Sequence, residues 1–284
     1  MTRIASNHAR PKPHIVVRQG TSYTIGNTLV MTQRTMATNY IKETNGSSLR
    51  PENEFGPYLL DTRLPLPDRY ILTKTHCFGI CNTCPAPKDT MVSPSTFAEK
   101  CAVDPGSDFN WTQTEPVHRV IHLIRDPLDN LVARMHLSVE KGHVGRMEYT
   151  RDGFLQWAGM MKETWNRTLE LLDADVVELM DQVPCSGDLY LYVQWHNNAL
   201  AMIEAQKLRT LLIYYEDYTY RYNATVESIL RFLEQPIAYT PTAFTSGKRY
   251  RKFYTMDEIQ AARRLVQRLA SPKLWKLLRH YFEK

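Results

Sequence analysis

The sequence predicts an α/β fold of three layers, α/β/α, with a mostly parallel central sheet covered by helices on both faces. Short runs of β-branched and apolar residues alternate with longer segments of helical apolar spacing, which is typical of parallel strands joined by crossover helices. The chain has 284 residues, of which 43% are hydrophobic, so it can bury one substantial core. We therefore expect a single domain over residues 14–284, preceded by a basic tail over residues 1–13.

Four segments predict strands, because β-branched and apolar residues follow one another in short runs bounded by turn residues. The run over residues 118–124 is the clearest buried strand among them. The predicted strands cover residues 14–18, 69–74, 118–124 and 209–215.

Seven segments predict helices, because their apolar residues recur at spacings of three and four. Pro127 is typical of the first turn of a helix, so we place the start of one helix there. The predicted helices cover residues 27–41, 127–141, 151–172, 189–207, 225–233, 256–269 and 272–282. In such a fold, ligands lie beyond the carboxyl ends of the strands.

The charge balance argues against a nucleic-acid binder. The 35 basic and 30 acidic side chains give a formal net charge of +5, and the basic residues are dispersed instead of forming one stripe. This mild excess suits an anionic small ligand or an anionic polymer as acceptor. No stretch approaches the roughly 18 consecutive apolar residues that span a bilayer, so we expect no membrane contact from this chain.

Four N-glycosylation sequons favour a secretory lumen such as the Golgi over the cytoplasm. They begin at Asn45, Asn110, Asn166 and Asn223. Residues 1–13 are basic and polar and lack the apolar core of a signal peptide. A membrane anchor upstream of the first residue would reconcile the two observations. The sequence predicts no oligomeric state.

The first of three motifs at predicted strand ends is a glycine-containing turn over residues 23–29, which enters the first predicted helix. Free backbone N–H groups and the positive end of a helix can hold a phosphate at such a place. The turn lacks the G-x-x-x-x-G-K-[ST] pattern of standard nucleoside triphosphate loops. An ordinary strand-to-helix turn is the alternative, because glycine is common in turns.

The second motif, Lys74-Thr75-His76, directly follows a predicted strand. A histidine with a pKa near neutrality can take a proton from an attacking hydroxyl, and a nearby ammonium can neutralise the charge that builds on a bridging oxygen. A surface or hydrogen-bonded histidine is the alternative.

The third motif, Arg125-Asp126-Pro127, ends the clearest predicted strand. An arginine there, with a helix starting two residues later, offers a forked donor and a helix N-terminus to one anion. A local cap in which the arginine and the aspartate pair with each other is the alternative.

Together these motifs resemble those of sulfotransferases that use 3′-phosphoadenosine-5′-phosphosulfate (PAPS) as donor. Lys74-Thr75-His76 resembles the family's K-T-H, and Tyr215-Glu216-Asp217 resembles its Y-E-D. Arg125-Asp126-Pro127 with residues 131–136 is similar to the 3′-phosphate motif of carbohydrate sulfotransferases, and residues 22–29 occupy the place of the 5′-phosphosulfate loop. The motifs follow the family order, which implies the P-loop-like sulfotransferase architecture.

The resemblance implies in-line transfer of a sulfuryl group from PAPS to a hydroxyl or amine, and no metal. Positioning and charge stabilisation would supply most of the rate. His76 would be the general base, and Lys74 would contact the sulfuryl or bridging oxygens. The 5′-phosphosulfate would be held by Gly26, Asn27 and Thr28. A carbohydrate acceptor is favoured because residues 131–136 resemble the carbohydrate branch, and a small alcohol or phenol is the alternative.

The resemblance also implies that Arg125 binds the 3′-phosphate. The basic segment over residues 247–252, which contains Lys248 and Arg249, occupies the place where many members have a loop that closes over this phosphate. A solvated basic turn is the alternative reading of this segment. Trp195 and His196 are candidates to face the acceptor, although aromatic residues of such helices more often belong to the core.

Two positions depart from the family pattern. Thr24 stands where the family has its loop lysine, and Ala133 stands where the family has a serine that bonds the 3′-phosphate. A charge-assisted hydrogen bond of that kind is worth about 1.5 to 3 kcal/mol, so nucleotide binding would be weaker but not abolished. Asn130 or Arg134 is a candidate replacement. The departures also leave open an inactive nucleotide- or glycan-binding module that keeps the fold without turnover.

Cys77, Cys81 and Cys84 form C-x3-C-x2-C, the spacing that holds a [4Fe–4S] cluster in radical S-adenosylmethionine enzymes. Two predicted strands precede the motif here, and the sequence has no Gly-Gly-Glu segment, which argues against such an enzyme. In an oxidising lumen, disulfide pairing among these three cysteines, Cys101 and Cys185 would be simpler and would leave one thiol over. Inert reduced thiols are the third alternative.

Overall fold

The computed structural model describes residues 28–33, 71–75, 97, 117–169, 172–234 and 248–283. The described strands are β1 (Thr28–Gln33), β2 (Ile71–Thr75), β3 (Val117–Ile124) and β4 (Arg209–Tyr214). The described α-helices are α1 (Pro127–Glu140), α2 (Arg151–Leu169), α3 (Ala174–Met180), α4 (Ser186–Ala205), α5 (Asp217–Tyr220), α6 (Tyr222–Phe232), α7 (Met256–Leu269) and α8 (Pro272–Leu278). Two 3₁₀ turns cover Arg251–Phe253 and Arg279–Tyr281.

The four described strands form one sheet in the order β2-β1-β3-β4. β3 and β4 are parallel, with Ile124 opposite Tyr214, because helices α1 to α4 return the chain to the end where β3 began. β1 is antiparallel to both of its neighbours. β2, β3 and β4 therefore run in one direction and β1 alone opposes them, so the predicted α/β class with a mostly parallel sheet is confirmed among the described strands. The antiparallel direction of β1 was not predicted, because residues 28–33 were assigned to a helix.

The helix predicted over residues 27–41 is thus wrong at its start. The sequence of β1, T-L-V-M-T-Q, contains three β-branched residues, which favour an extended backbone. A short apolar run of this kind fits the helical period and the strand period equally well, so its spacing alone does not decide between them. The strand predicted over residues 14–18 lies outside the described residues.

Alternate residues of β3 face different helices, as the two-residue period of a strand requires. On one face, Val120 packs with Trp195 and Ile203 of α4, and Ile124 joins the main core. On the other face, Ile121 packs against Leu233, which directly follows α6. Helices therefore cover both faces of the β3–β4 pair, which gives the three predicted layers.

The main core lies between β3 and helices α1, α2, α4, α7 and α8. Each of these helices contributes a fully buried large side chain, and burial of one such side chain stabilises the fold by about 1.5 to 3 kcal/mol. These residues are Leu131, Trp157, Leu189, Leu265 and Leu274. A bidentate pair from Arg151 to Glu258, with distances of 2.8 and 2.9 Å, ties the start of α2 to the start of α7.

The helices predicted in the second half of the chain are confirmed. The predicted bounds of α7 agree with the structure at both ends, and Pro127 is the first residue of α1 as predicted. The last predicted helix, over residues 272–282, ends as α8 at Leu278 and continues as a 3₁₀ turn. Within the part of the chain that the structure describes, no helix is long and apolar enough to cross a membrane.

Candidate functional site

The turn after β3 and the turn after β4 lie side by side at the carboxyl end of the sheet. The Tyr215 N–H donates to the Ile124 carbonyl at 2.7 Å, which continues the β3–β4 pairing by one step. Beyond that step, the Asp126 N–H donates to Oε1 of Glu216 at 3.0 Å, so a side chain replaces the next backbone acceptor. The R-D-P and Y-E-D segments, 90 residues apart in sequence, therefore form one local structure.

Arg125 is buried in this turn and is 3% exposed. Its guanidinium lies over the ring of Tyr215, with the central carbon 4.5 Å from the ring centroid. Its Nη1 atom is buried and has no hydrogen-bond acceptor among the described residues. A guanidinium is always charged, and a buried donor left without an acceptor costs about 1 to 3 kcal/mol, so an anion that supplied the missing acceptor would be bound favourably.

Asp126 caps α1. Its Oδ1 accepts hydrogen bonds from the backbone N–H groups of Leu128 at 3.0 Å and Asp129 at 3.4 Å. The sequence left open whether the helix N-terminus binds an anion or whether Arg125 and Asp126 form a local pair. In the structure, the side chain of Asp126 caps the helix N-terminus, and the described contacts include no ion pair between Arg125 and Asp126. The guanidinium donor thus stays available, while first-turn N–H groups of α1 are already bonded.

Asp129 binds the basic segment before α7 and so holds this segment beside the turn that carries Arg125. Oδ1 of Asp129 accepts from the Tyr250 N–H at 2.7 Å, and Oδ2 lies 3.7 Å from Nη1 of Arg249. Nη2 of Arg249 reaches the Tyr220 hydroxyl at 3.3 Å, next to the Y-E-D segment. The segment therefore lies beside the turn that carries Arg125, where its cations can share one anion with it.

Two further side chains complete this basic region. Nη2 of Arg251 is buried without an acceptor among the described residues, and the charge of Arg251 partly offsets the rise that burial causes in the pKa of Asp126. Burial, assisted by the positive charges of Lys248 and Arg125, lowers the pKa of His136 from 6.5 to about 4. His136 is therefore neutral at physiological pH, and Nδ1 of its ring lies 3.3 Å from the Tyr250 hydroxyl.

The start of β1 and the end of β2 lie at the same end of the sheet as the carboxyl ends of β3 and β4. Because β1 is antiparallel to its neighbours, its first residue, Thr28, lies opposite Leu123 near the end of β3. Thr75, the last residue of β2, lies opposite Leu29 of β1. Adjacent strands are about 4.8 Å apart, so the strand termini next to the sequence motifs lie along the same end of the sheet.

A family model described as Sulfotransferase domain matches residues 109–263, which is more than half of the chain. The chain belongs to this sulfotransferase family. The matched residues include β3, β4, the motifs that follow these strands and the basic segment. No curated protein matches the chain significantly, and no solved structure does.

Membership of the sulfotransferase family makes the protein a transferase that moves a sulfuryl group. The match gives no support to the radical S-adenosylmethionine interpretation of Cys77, Cys81 and Cys84, and these cysteines lie outside the described residues. Within the described residues, no group of three or more His, Cys, Asp or Glu side chains could hold a metal ion. Cys185 is buried and free, whereas pairing among the other four cysteines stays a prediction.

The predicted 5′-phosphosulfate and catalytic residues of the sulfotransferase fall partly within the described chain. Thr28 is the first residue of β1, so the helix N-terminus expected behind this loop is replaced by a strand. Lys74 is the fourth residue of β2 and lies opposite Val30. The remaining predicted residues, Thr24, Gly26, Asn27 and His76, lie outside the described residues.

Ala133, where the family serine would stand, is 5% exposed and packs in the main hydrophobic core. Of the two candidate replacements, Arg134 is committed to an ion pair with Asp188. Asn130 is buried, and its Oδ1 has no partner among the described residues. A rotation of its amide would present N–H donors instead, so Asn130 is the better candidate to replace the serine.

The two residues of α4 that are candidates to face the sulfuryl acceptor lie in the described core. Trp195 and His196 are both buried, and Trp195 packs with Val120 of β3. Nδ1 of His196 lies 2.7 Å from Nε2 of His122, so these two imidazoles share a hydrogen bond inside the core. The structure therefore supports their assignment to the core.

The carboxyl of Asp126 should make stability depend on pH. Burial, together with the charge of Asp129, raises the pKa of Asp126 from 3.8 to about 7. The folded sulfotransferase therefore binds this proton more tightly than the unfolded chain, so the contribution of Asp126 to stability falls as pH rises from about 4 to about 7. Asp126→Asn keeps a capping oxygen and removes the titration.

We expect Asp126→Asn to gain stability relative to the wild type across that pH range and to keep a constant difference above it. Urea unfolding of both proteins at a series of pH values measures the difference in the free energy of unfolding. Glu140→Gln, an exposed change at the other end of α1, is the matched control. Parallel curves for Asp126→Asn and the wild type would contradict the prediction.

Proposed function

We propose that this sulfotransferase uses PAPS as its donor and transfers the sulfuryl group in line to a hydroxyl or amine, with a carbohydrate as the favoured acceptor. Arg125 carries the proposal, because the Nη1 atom of its buried guanidinium lacks an acceptor among the described residues. Arg125 also lies at the same end of the sheet as the start of β1 and the end of β2, which adjoin the other motifs. A phosphate dianion supplies the acceptor oxygens and the charge that this site lacks.

The 3′-phosphate is assigned to Arg125 with Lys248 and Arg249. Asp129 holds Arg249 and the backbone of Tyr250 beside the turn, and the charge of Lys248 acts on His136 together with that of Arg125. These contacts bring the positive charges of Lys248 and Arg249 to the turn that carries Arg125. Nucleotides that lack the 3′-phosphate should therefore bind more weakly.

The 5′-phosphosulfate is assigned to the loop before β1, through Gly26, Asn27 and Thr28. Thr28 lies opposite Leu123, two residues before Arg125, so this loop enters the sheet beside the strand that carries the 3′-phosphate site. Thr24 in place of the family lysine leaves the loop with one cation fewer. Lys74, on the strand on the other side of β1, is the candidate that supplies positive charge to the sulfuryl and bridging oxygens.

The proposed reaction needs one base. His76 takes the proton of the acceptor hydroxyl while the acceptor oxygen forms a bond to sulfur. The bond between sulfur and the oxygen that bridges to the 5′-phosphate breaks, and adenosine 3′,5′-bisphosphate leaves with that electron pair. His76 directly follows β2, whose last residue, Thr75, lies at the end of the sheet where β1 starts.

The proposal is tested by transfer of labelled sulfate from PAPS to a panel of glycans and phenols, combined with calorimetric binding of adenosine 3′,5′-bisphosphate. We expect bisphosphate binding and transfer to glycans. Binding without transfer to any acceptor would favour an inactive nucleotide-binding module. This module is the second candidate function, because Ala133 has a buried methyl group where the family has a hydroxyl. Absence of both binding and transfer would refute the proposed function.

A further inference from the structure

Glu216 links the turn that carries Arg125 to the C-terminal end of the described chain. Oε1 of Glu216 accepts the Asp126 N–H at 3.0 Å, and Oε2 accepts the Tyr281 hydroxyl at 2.6 Å. Tyr281 ends the 3₁₀ turn after α8 and lies outside the residues that the family model matches, 109–263. A side chain 65 residues away from Glu216 in sequence therefore fixes both the position and the hydrogen bonding of its carboxylate.

Tyr281 is well placed to hold this carboxylate. The side chain is 2% exposed and belongs to the main core, so its ring cannot move far. His280 packs on it with a centroid separation of 4.0 Å, and Tyr214 of β4 lies at its edge. Burial and the Glu216 carboxylate raise the pKa of Tyr281 well above its usual value, so the hydroxyl stays protonated and donates.

The peptide unit between Arg125 and Asp126 is held at both ends. Its N–H, on Asp126, is bound by Glu216. Its carbonyl, on Arg125, accepts the hydroxyl of Tyr192 of α4 at 2.7 Å. A peptide unit is planar, so fixing its two polar groups fixes the plane and, with it, the direction in which the Arg125 side chain leaves the backbone.

We propose that Tyr281 is a positioning residue for the nucleotide site and that it acts through Glu216 on the direction of the Arg125 guanidinium. This inference rests on the proposed function, in which Arg125 binds the 3′-phosphate. Without the Tyr281 hydroxyl, Glu216 loses one of its two described hydrogen bonds and can turn away from the Asp126 N–H. Binding interactions lose strength quickly when a charged donor is displaced by about 1 Å.

The test compares two nucleotides that differ only in the 3′-phosphate. Tyr281→Phe removes the hydroxyl and keeps the ring in the core, so the protein should remain folded. We expect its Kd for adenosine 3′,5′-bisphosphate to rise about tenfold, which corresponds to the loss of one well-placed hydrogen bond to a charged group. The Kd for adenosine 5′-monophosphate, which has no 3′-phosphate, should stay within about twofold of the wild type.

Tyr190→Phe is the matched control, because Tyr190 is also a buried tyrosine of the main core and makes no described hydrogen bond to this turn. It should leave the Kd of both nucleotides unchanged. A second test uses Glu216→Ala, which should produce the same selective loss as Tyr281→Phe. Tyr281→Phe should add little further loss in the Glu216→Ala background, because the two residues act through one contact.

The inference is overturned if Tyr281→Phe leaves the Kd of the bisphosphate unchanged, weakens both nucleotides equally, or adds its full effect to that of Glu216→Ala. These outcomes leave the proposed function standing when the wild-type protein binds the bisphosphate and Arg125→Ala does not. Failure of the wild-type protein to bind the bisphosphate would overturn the proposed function, and this inference with it.

Discussion

Arg125→Ala is expected to weaken binding of adenosine 3′,5′-bisphosphate by about a hundredfold or more. A hydrogen bond to a charged group is worth about 1.5 to 3 kcal/mol, and a guanidinium can donate two of them to one phosphate. Arg125 is buried and has an Nη1 donor without an acceptor among the described residues, so the phosphate would meet a site from which water is largely excluded. Calorimetry at fixed ionic strength measures the change in Kd.

Two comparisons separate the role of Arg125 from a general effect of charge. Arg125→Lys keeps the charge and loses the fork, so its Kd should lie between those of the wild type and Arg125→Ala. Arg119→Ala removes a guanidinium from the same strand, where Arg119 pairs with Glu234, and should leave the Kd unchanged. Equal losses in Arg119→Ala and Arg125→Ala, or wild-type affinity in Arg125→Ala, would contradict the assignment of Arg125.

The helix after β3 could be predicted because its signals are local. Pro127 and Asp126 are typical of the start of a helix, and the structure begins α1 at Pro127 with Asp126 as its cap. What the sequence could not decide was the partner of Arg125, because an aspartate at this place can cap the helix or pair with the arginine. The hydrogen bonds of Asp126 to Leu128 and Asp129 decide it.

The start of the chain was harder to predict. β1 is a six-residue segment in which helical and extended spacing coincide, and its strand state depends on pairing with β2 and β3. The phosphate loop before Thr28 therefore loses the helix N-terminus that the sequence suggested. The antiparallel direction of β1 nevertheless brings Thr28, one residue of the predicted 5′-phosphosulfate site, to the end of the sheet where β3 ends.

Contacts between distant parts of the chain carried no signal in the sequence. Glu216 could be singled out by its motif, but nothing local indicates that Tyr192 and Tyr281 hold the backbone around Arg125. Arg251 belongs to the predicted basic segment, and only the structure separates the buried Nη2 atom of Arg251 from the exposed side chain of Lys252. Such contacts follow from tertiary packing, which local periodicity does not encode.

His76→Ala is expected to lower the rate of sulfuryl transfer at saturating donor and acceptor by at least about a hundredfold, because general base catalysis typically contributes that much. The Kd for adenosine 3′,5′-bisphosphate should stay near that of the wild type. His76 follows β2, which is separated from β3 and Arg125 by β1, so its removal leaves the 3′-phosphate site intact.

The pH dependence gives a second readout for His76. A general base must be neutral, so the wild-type rate should rise with pH through the usual histidine pKa of about 6.5 and then level off. In His76→Ala this rise should disappear together with the rate. His143→Ala, which removes an exposed histidine after α1, is the matched control and should keep both the rate and the pH profile. Wild-type activity in His76→Ala would refute its assignment as base, whereas a rise in Kd with an unchanged rate would show that His76 binds the nucleotide instead.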